Sequence, residues 1–275
     1  MHFVSDILDI GGVPVLGGSS LYELDGGELN VGSVVVVGIF GPGVVTQTGG
    51  LLSTQLIDIG SDGTFTWSGG SLSISTLSLS GRMALSAGAR LVLRAKSVQI
   101  HNATGQLDLG DNQMIIDYEG ASAGTVMDQL RADLRDGALF SSSGSAAHRL
   151  GYADDALLGE ALVKYTYTGD ANLDAQVDIT DLEALAAHWQ SAGFWTEGDF
   201  DYTGFVNIDD LQLLAYNWQA GVQNPLPPES LQEALESLGL PVVLPEPAYI
   251  SGAALLPMVL RRLNCRLARR RASVA

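Results

Sequence analysis

The sequence predicts a mainly β chain coiled as a solenoid, a parallel β-helix, followed by a small all-α domain. Three observations carry that expectation. Residues 11–120 hold 21 glycines, where an average composition would give roughly 8. Between the glycines lie short runs rich in β-branched residues that alternate polar with apolar, the period of half-buried strands. Residues 168–220 then carry the same loop-and-helix wording twice, Asp170 recurring as Asp199 and Leu182 as Leu211.

The first unit, residues 1–150, contains SVVVVGIF, TQLIDI, TFTWSG, SLSISTLSLS, RLVLRAKSVQI, QLDLG and NQMIIDY as candidate strands. Glycine pairs at 26–27, 49–50 and 69–70 open similar phrases, and their separations match the length of one coil of a β-solenoid. A β-sandwich with Gly-rich turns accommodates the same strand lengths and stays as the alternative. Within 125–138, Val126, Leu130 and Leu134 recur every fourth position and predict a short helix or an amphipathic edge segment. The stretch SSSGSAAHRLGYADDALLG reads as loop, and 151–167 as a connecting strand and linker ending in LVKYTY. Residues 168–220 form the α domain, 221–243 a Pro-rich linker with the helical phrase LQEALESLGL, and 244–275 a tail.

The net charge is −17 and unevenly spread. Residues 151–225 carry 13 Asp/Glu against Lys164 alone, whereas 261–275 hold six Arg and no acid. Such a field repels phosphate backbones, so nucleic-acid binding is not expected. Cys265 is the one cysteine, which excludes an internal disulfide and a thiolate metal centre. The N-terminal MHFVSDILDIGG lacks the basic start and apolar run of a secretory signal. Together with the tail described below, this leads us to expect an exported protein whose start is incomplete.

The two repeated loops carry the chemistry. Numbered from the first Asp, loop one offers oxygens at positions 1, 3, 5, 9 and 12 from Asp170, Asn172, Asp174, Asp178 and Asp181, with the Gln176 carbonyl at 7. Loop two offers Asp199, Asp201, Thr203, Asn207 and Asp210, with the Phe205 carbonyl at 7. This is calcium-loop spacing: six or seven hard oxygens from one turning segment. Two Ca2+ ions are therefore expected, one per loop. A solvated acidic turn uses the same residue types. Duplication of the whole pattern, each copy running into a nearly identical helix (DLEALAAHWQ, DLQLLAYNWQ), favours metal. Position 6, where a sharp turn favours glycine, is Gly204 in loop two but Ala175 in loop one. Asp in place of Glu at position 12 shortens the reach by one methylene. At position 8, Val177 and Val206 are expected to pair the loops through a short bridge and point inward. Leu182, Leu185, Ala186 and Trp189, and their counterparts Leu211, Leu214, Ala215 and Trp218, form apolar stripes that can bury each other.

Tandem loop-helix repeats with Asp at position 12 followed by Leu resemble a type I dockerin domain, an EF-hand-like fold, over about 168–220. The resemblance implies folding on calcium and docking onto a cohesin-like protein partner that links secreted proteins to scaffolds or cell surfaces. In the best-known dockerins positions 10 and 11 carry small hydroxyl residues that face the cohesin. Here they are Ile179 and Thr180, then Ile208 and Asp209, so the calcium chemistry transfers and the cohesin contact does not transfer residue for residue. The segments GDNQMIIDYEG, RLGYADDALLG and VKYTYTGDANLD resemble those joining Gly-rich β repeats to dockerin-like domains in exported proteins of planctomycete-type bacteria.

In the tail, a PEP triplet, an apolar stretch from Ala248 to Leu260 and clustered arginines resemble a PEP-CTERM sorting signal. Apolar residues halted by arginines favour a transient membrane encounter during sorting, though thirteen residues rise only about 20 Å as helix, short of a span. A plain basic amphipathic tail is the other reading.

No catalytic motif is visible. His2, His101, His148 and His188 form no metal-binding pair, and no phosphate loop, nucleophile elbow or dinucleotide fingerprint occurs. Asp108, Asp111 and Asp117 sit where turns sit and read as turn caps. Tyr22, Phe65, Trp67 and Tyr118 are too scattered for a sugar platform. The leading expectation is a non-enzymatic exported surface or matrix protein. A fragment of a secreted dockerin-bearing polysaccharide-degrading enzyme, and an adhesin whose calcium loops are purely structural clips, are the alternatives.

Overall fold

The computed structural model describes residues 2–4, 6–11, 19–101, 104–118, 122–227 and 229–242. The PEP triplet, the apolar stretch and the arginines of the tail, with Cys265, lie outside the described residues.

Each coil contributes three short strands. They run β1 (His2–Val4), β2 (Ile7–Ile10), β3 (Ser20–Leu24); β4 (Glu28–Val31), β5 (Val34–Val37), β6 (Gly43–Gln47); β7 (Leu51–Ser53), β8 (Leu56–Ile59), β9 (Gly63–Trp67); β10 (Ser71–Ser73), β11 (Thr76–Leu79), β12 (Arg82–Leu85); and β13 (Val92–Ala95), β14 (Ser97–Ile100), β15 (Gln106–Asp108). Strands one coil apart pair in parallel, giving sheets β1-β4-β7-β10, β14-β11-β8-β5-β2 and β15-β12-β9-β6-β3. This is the solenoid and not the sandwich. In a sandwich the sheets would be antiparallel with hairpin neighbours.

Register explains the core. Val45, Phe65, Met83 and Leu107 are stacked partners on successive coils, as are Val35, Ile57, Leu77 and Val98. All but the last are buried. Every coil therefore seals its neighbour's interior with like residues, and the fold needs repetition to close. Coil spacing also explains the glycines. At Gly38, φ is +70°, and an added Cβ would lie 2.1 Å from the Gly63 nitrogen of the next coil.

The far end of the solenoid is closed differently. β16 (Gln113–Asp117) pairs in parallel with β13 on one side and antiparallel with β19 (Glu160–Tyr167) on the other. α1 (Ala123–Arg135) is the expected helix, and it buries Leu130 and Leu134 as its period predicts, but the third buried apolar residue is Met127, with Val126 half-buried at the margin. It ends with Gly137 at φ +71° while Ala138 N donates to Asp133 O at 2.9 Å, a left-handed helix stop. β17 (Leu139–Phe140) continues the third sheet.

The expected loop over 141–159 is corrected in part. His148–Asp155 is strand β18, paired antiparallel along its whole length with β19. Accordingly 151–167 is most of a hairpin and belongs to the sheet that closes the solenoid. Gly151 and two aspartates lower the local strand propensity there, and pairing with β19 supplies what it lacks.

The C-terminal part holds α2 (Ile179–Ala187), a 3-10 turn at Trp195–Glu197, α3 (Ile208–Tyr216) and α4 (Glu229–Leu238). Leu182, Leu185, Leu211 and Leu214 are fully buried, while Trp189 and Trp218 pack at the margin. The phrase expected to follow a linker as a short helix is α4. It contributes Leu235 to the core, and Trp218 Nε1 donates to Ser230 Oγ at 3.0 Å.

Candidate metal centre

The two loops share one backbone pattern. Left-handed φ recurs at equivalent positions of the two repeats: Gly169 and Gly198, Leu173 and Tyr202, Ala175 and Gly204, Gln190 and Gln219. Ala175 does adopt the left-handed turn expected of position 6, at φ +67°. Leu173, Ala175, Gln190, Tyr202 and Gln219 all carry a side chain in a region that favours glycine, so the loops are held there by their hydrogen bonds.

Those bonds centre on the first and last aspartates. In loop one, Asp170 Oδ1 accepts from Asp174 N at 3.1 Å and Oδ2 from Ala175 N at 2.8 Å. Asp181 Oδ1 accepts from Ala171 N at 2.8 Å and Oδ2 from Asp178 N at 2.8 Å. Loop two repeats this with Asp199 Oδ2 on Gly204 N at 3.0 Å, Asp210 Oδ1 on Phe200 N at 2.8 Å and Asp210 Oδ2 on Asn207 N at 2.9 Å. Position 9 caps the helix that follows: Asp178 Oδ1 accepts from Thr180 N at 2.8 Å, and Asn207 Oδ1 from Asp209 N at 2.7 Å. Asp and Asn suit this position because a short side-chain oxygen satisfies a helix's free N–H groups.

Asp170, Asp181, Asp199 and Asp210 all have 0% exposure. Burial pushes Asp181 and Asp199 up to about 7 and Asp210 up to about 6, and raises Asp170. Backbone N–H donors oppose the shift without cancelling it. Carboxylates that resist ionisation for want of solvent are stabilised by a cation among them.

In loop two, oxygens of Asp199, Asp201 and Asp210 lie within 4.8 Å of one another. Beside them, Thr203 N donates to Asp201 Oδ1 at 3.0 Å, and Thr203 Oγ1 sits 3.5 Å from Asp199 Oδ1 and 3.4 Å from the Phe205 carbonyl. Asn207 Nδ2 approaches the same carbonyl at 3.3 Å. All six sequence-designated positions of loop two thus belong to one hydrogen-bonded set. Loop one is less convergent. Asp174 Oδ1 accepts from Gln176 N at 2.8 Å and its Oδ2 from Asn172 Nδ2 at 3.2 Å, which directs this carboxylate along its own loop. The donors are oxygens throughout, the set a hard cation takes.

The position-8 expectation is half corrected. Val177 and Val206 are fully buried, but they do not pair with each other. Val177 N donates to Ala220 O at 3.0 Å and its carbonyl accepts from Gln219 N at 2.8 Å. Val206 does the same with Ser191 and Gln190, both at 2.9 Å. Each loop clasps the exit of the other repeat's helix, because left-handed Gln190 and Gln219 turn the chain back toward it.

Sequence reasoning missed the residues that hold these loops from outside. Lys164 Nζ donates to Leu173 O at 2.7 Å, and Thr166 Oγ1 donates to the Asp170 carboxylate. Trp195 Nε1 donates to Asp170 O at 2.6 Å. Arg149 Nη1 donates to Phe200 O at 3.2 Å, and Tyr202 Oη donates to Leu150 O at 2.9 Å. Arg131 of α1 donates to Gly193 O at 3.2 Å and lies 5.0 Å over the Phe194 ring. A lone Trp or Arg outside the repeat carries no local signal of such a role.

The other candidates resolve as structural groups. Asp108 accepts from Gly110 N at 3.0 Å and Ser142 N at 2.9 Å, and Asp111 from Gly88 N at 2.6 Å, which is turn capping. Phe65 and Trp67 are interior. His148 stacks on Tyr165, ring centroids 5.2 Å apart. His188 Nδ1 sits 3.1 Å from Ala184 O. Among the described residues no helix is long and apolar enough to cross a membrane. Comparison of the chain with protein-family models, with curated proteins and with solved structures finds no match.

Proposed function

We propose that residues 168–220 bind two calcium ions, one per loop, and that the chain serves as a non-enzymatic exported surface or matrix protein with a calcium-folded docking module. The observation that carries the metal reading is the pair of fully buried aspartates in each loop, Asp170 with Asp181 and Asp199 with Asp210, inside backbones of matched left-handed pattern. Solvated turns expose their carboxylates; these do not. The docking reading is supported by the dockerin-like spacing and by what the helices leave open. Ile179, Thr180 and Asp209, at positions 10 and 11, are exposed and available to a cohesin-like partner.

The test is calorimetric calcium titration of the full chain after chelator treatment, with circular dichroism before and after. Two binding events with a gain in helical signal are expected. No heat at any calcium concentration, with unchanged helix, refutes the metal assignment.

A further inference from the structure

We propose that the calcium module caps its own solenoid, and that metal in the two loops holds the β18–β19 hairpin against the last coil. This rests on the calcium reading above. The hairpin does not touch the module through side-chain surfaces alone. Lys164 of β19 bonds the carbonyl at position 4 of loop one, and Thr166 bonds the carboxylate at position 1. Arg149 of β18 bonds the carbonyl at position 2 of loop two, and the Tyr202 hydroxyl at position 4 bonds back to the β18 carbonyl of Leu150. The hairpin backbone also packs tightly at Gly151, where an added Cβ would stand 2.5 Å from Leu173 Cδ2 and 2.7 Å from Trp195 Nε1.

Contacts to backbone atoms inside a metal loop last only as long as that backbone keeps its shape. The shape here includes left-handed Leu173, Ala175 and Tyr202, conformations that persist only when the surroundings over-determine them. Remove the cation and the buried aspartates repel one another, the loops open, and the hairpin loses four anchors together. β19 is also the antiparallel neighbour of β16 over five residue pairs. Its release uncovers Met114 and Val163, both fully buried, and with them the solenoid's end. Local opening in contiguous units of this size is the ordinary behaviour of folded chains.

Hydrogen exchange of the full chain, read by mass spectrometry in saturating calcium and in chelator, tests this. Chelation should speed exchange about tenfold or more both in the loops and in peptides covering 150–163. Loops that respond while 150–163 stays protected overturn the capping proposal and leave calcium binding intact. If neither responds and calorimetry shows no heat, the calcium reading fails and the proposal falls with it. Lys164→Met combined with Tyr202→Phe removes two anchors and no metal ligand. In this variant calcium should still protect the loops but protect 150–163 far less, and full retention of that protection also overturns the proposal.

Discussion

Exchanging the residues at position 6 tests the loop backbones most directly. Ala175 and Gly204 occupy equivalent left-handed positions, at φ +67° and +86°. A side chain there costs about 1–2 kcal/mol, whereas glycine costs the folded state about 0.4–1 kcal/mol through the freedom it adds to the unfolded chain. Ala175→Gly should therefore stabilise the module by about 0.5–1 kcal/mol. Realised only in the metal-bound loop, this is a two- to fivefold tighter calcium event. Gly204→Ala should lose the same amount and more, because its Cβ would lie 3.1 Å from the Arg131 guanidinium carbon. Moving that guanidinium weakens its hold on Gly193 O and the Phe194 ring, which adds about 0.5–1 kcal/mol. Thermal unfolding in calcium and calorimetric titration of both variants measure the asymmetry. Ala175→Gly that destabilises, or Gly204→Ala that is neutral, would refute the argument that matched left-handed turns shape these sites.

Three further outcomes are expected. Gly27→Ala and Gly38→Ala share a left-handed φ, but nothing lies within 4 Å of a Cβ at Gly27, while one at Gly38 would sit 2.1 Å from Gly63 N; denaturant titration should show a loss of about 1 kcal/mol for the first and about 3 kcal/mol or more, or failure to fold, for the second. Thr168 Oγ1 is buried without a hydrogen-bond partner among the described residues, so Thr168→Val should leave stability unchanged or raise it by about 1 kcal/mol, and a clear loss by the same titration would contradict the assignment. Burial on the inner face of α1 raises the Asp133 carboxyl, Gln129 opposing through its hydrogen bond; a raised acid favours the folded state fully below its unfolded value near 3.8, and that advantage is lost as pH rises through the folded value. Asp133→Asn should consequently raise the melting temperature at neutral pH and not at pH below about 3.8, and an equal gain at both would dissociate the effect from titration.

The solenoid was legible because its alternation survives folding; its corners were not. SLSISTLSLS and RLVLRAKSVQI each read as one strand, yet each is two. Inward-leaning residues step by two on each side of the corner, Leu72 to Ile74 just past β10 and Leu77 to Leu79 within β11, and by three across it. The same slip of three separates Ala95 from Val98, and Thr54 from Ile57. A corner of this kind needs no glycine, so glycine-based punctuation passes over it. The candidate ligand positions were legible because duplication of the whole loop and helix separates a pattern from chance. The clasp of Val177 on Gln219 and Ala220, and the reach of Arg149 and Lys164 into the loops, were not. They depend on how the two repeats and the hairpin meet, which no local spacing encodes.

Charge supplies the last step in favour of metal over a solvated turn. The candidate ligand positions hold seven carboxylates, Asp170, Asp174, Asp178, Asp181, Asp199, Asp201 and Asp210, four of them without solvent contact. The cations that reach the module do not neutralise them: Lys164, Arg149 and Arg131 each donate to a backbone carbonyl there. Backbone N–H groups stabilise individual oxygens, but dipoles do not cancel net charge, and burial still drives Asp181 and Asp199 up to about 7. A turn selected only for its shape would leave such groups in water, where they cost little. A site selected for a divalent ion needs them enclosed, because each oxygen removed from water is then a stronger ligand. Two divalent ions, were they bound as proposed, would bring four positive charges to loops that hold seven carboxylates, four of them where solvent cannot reach.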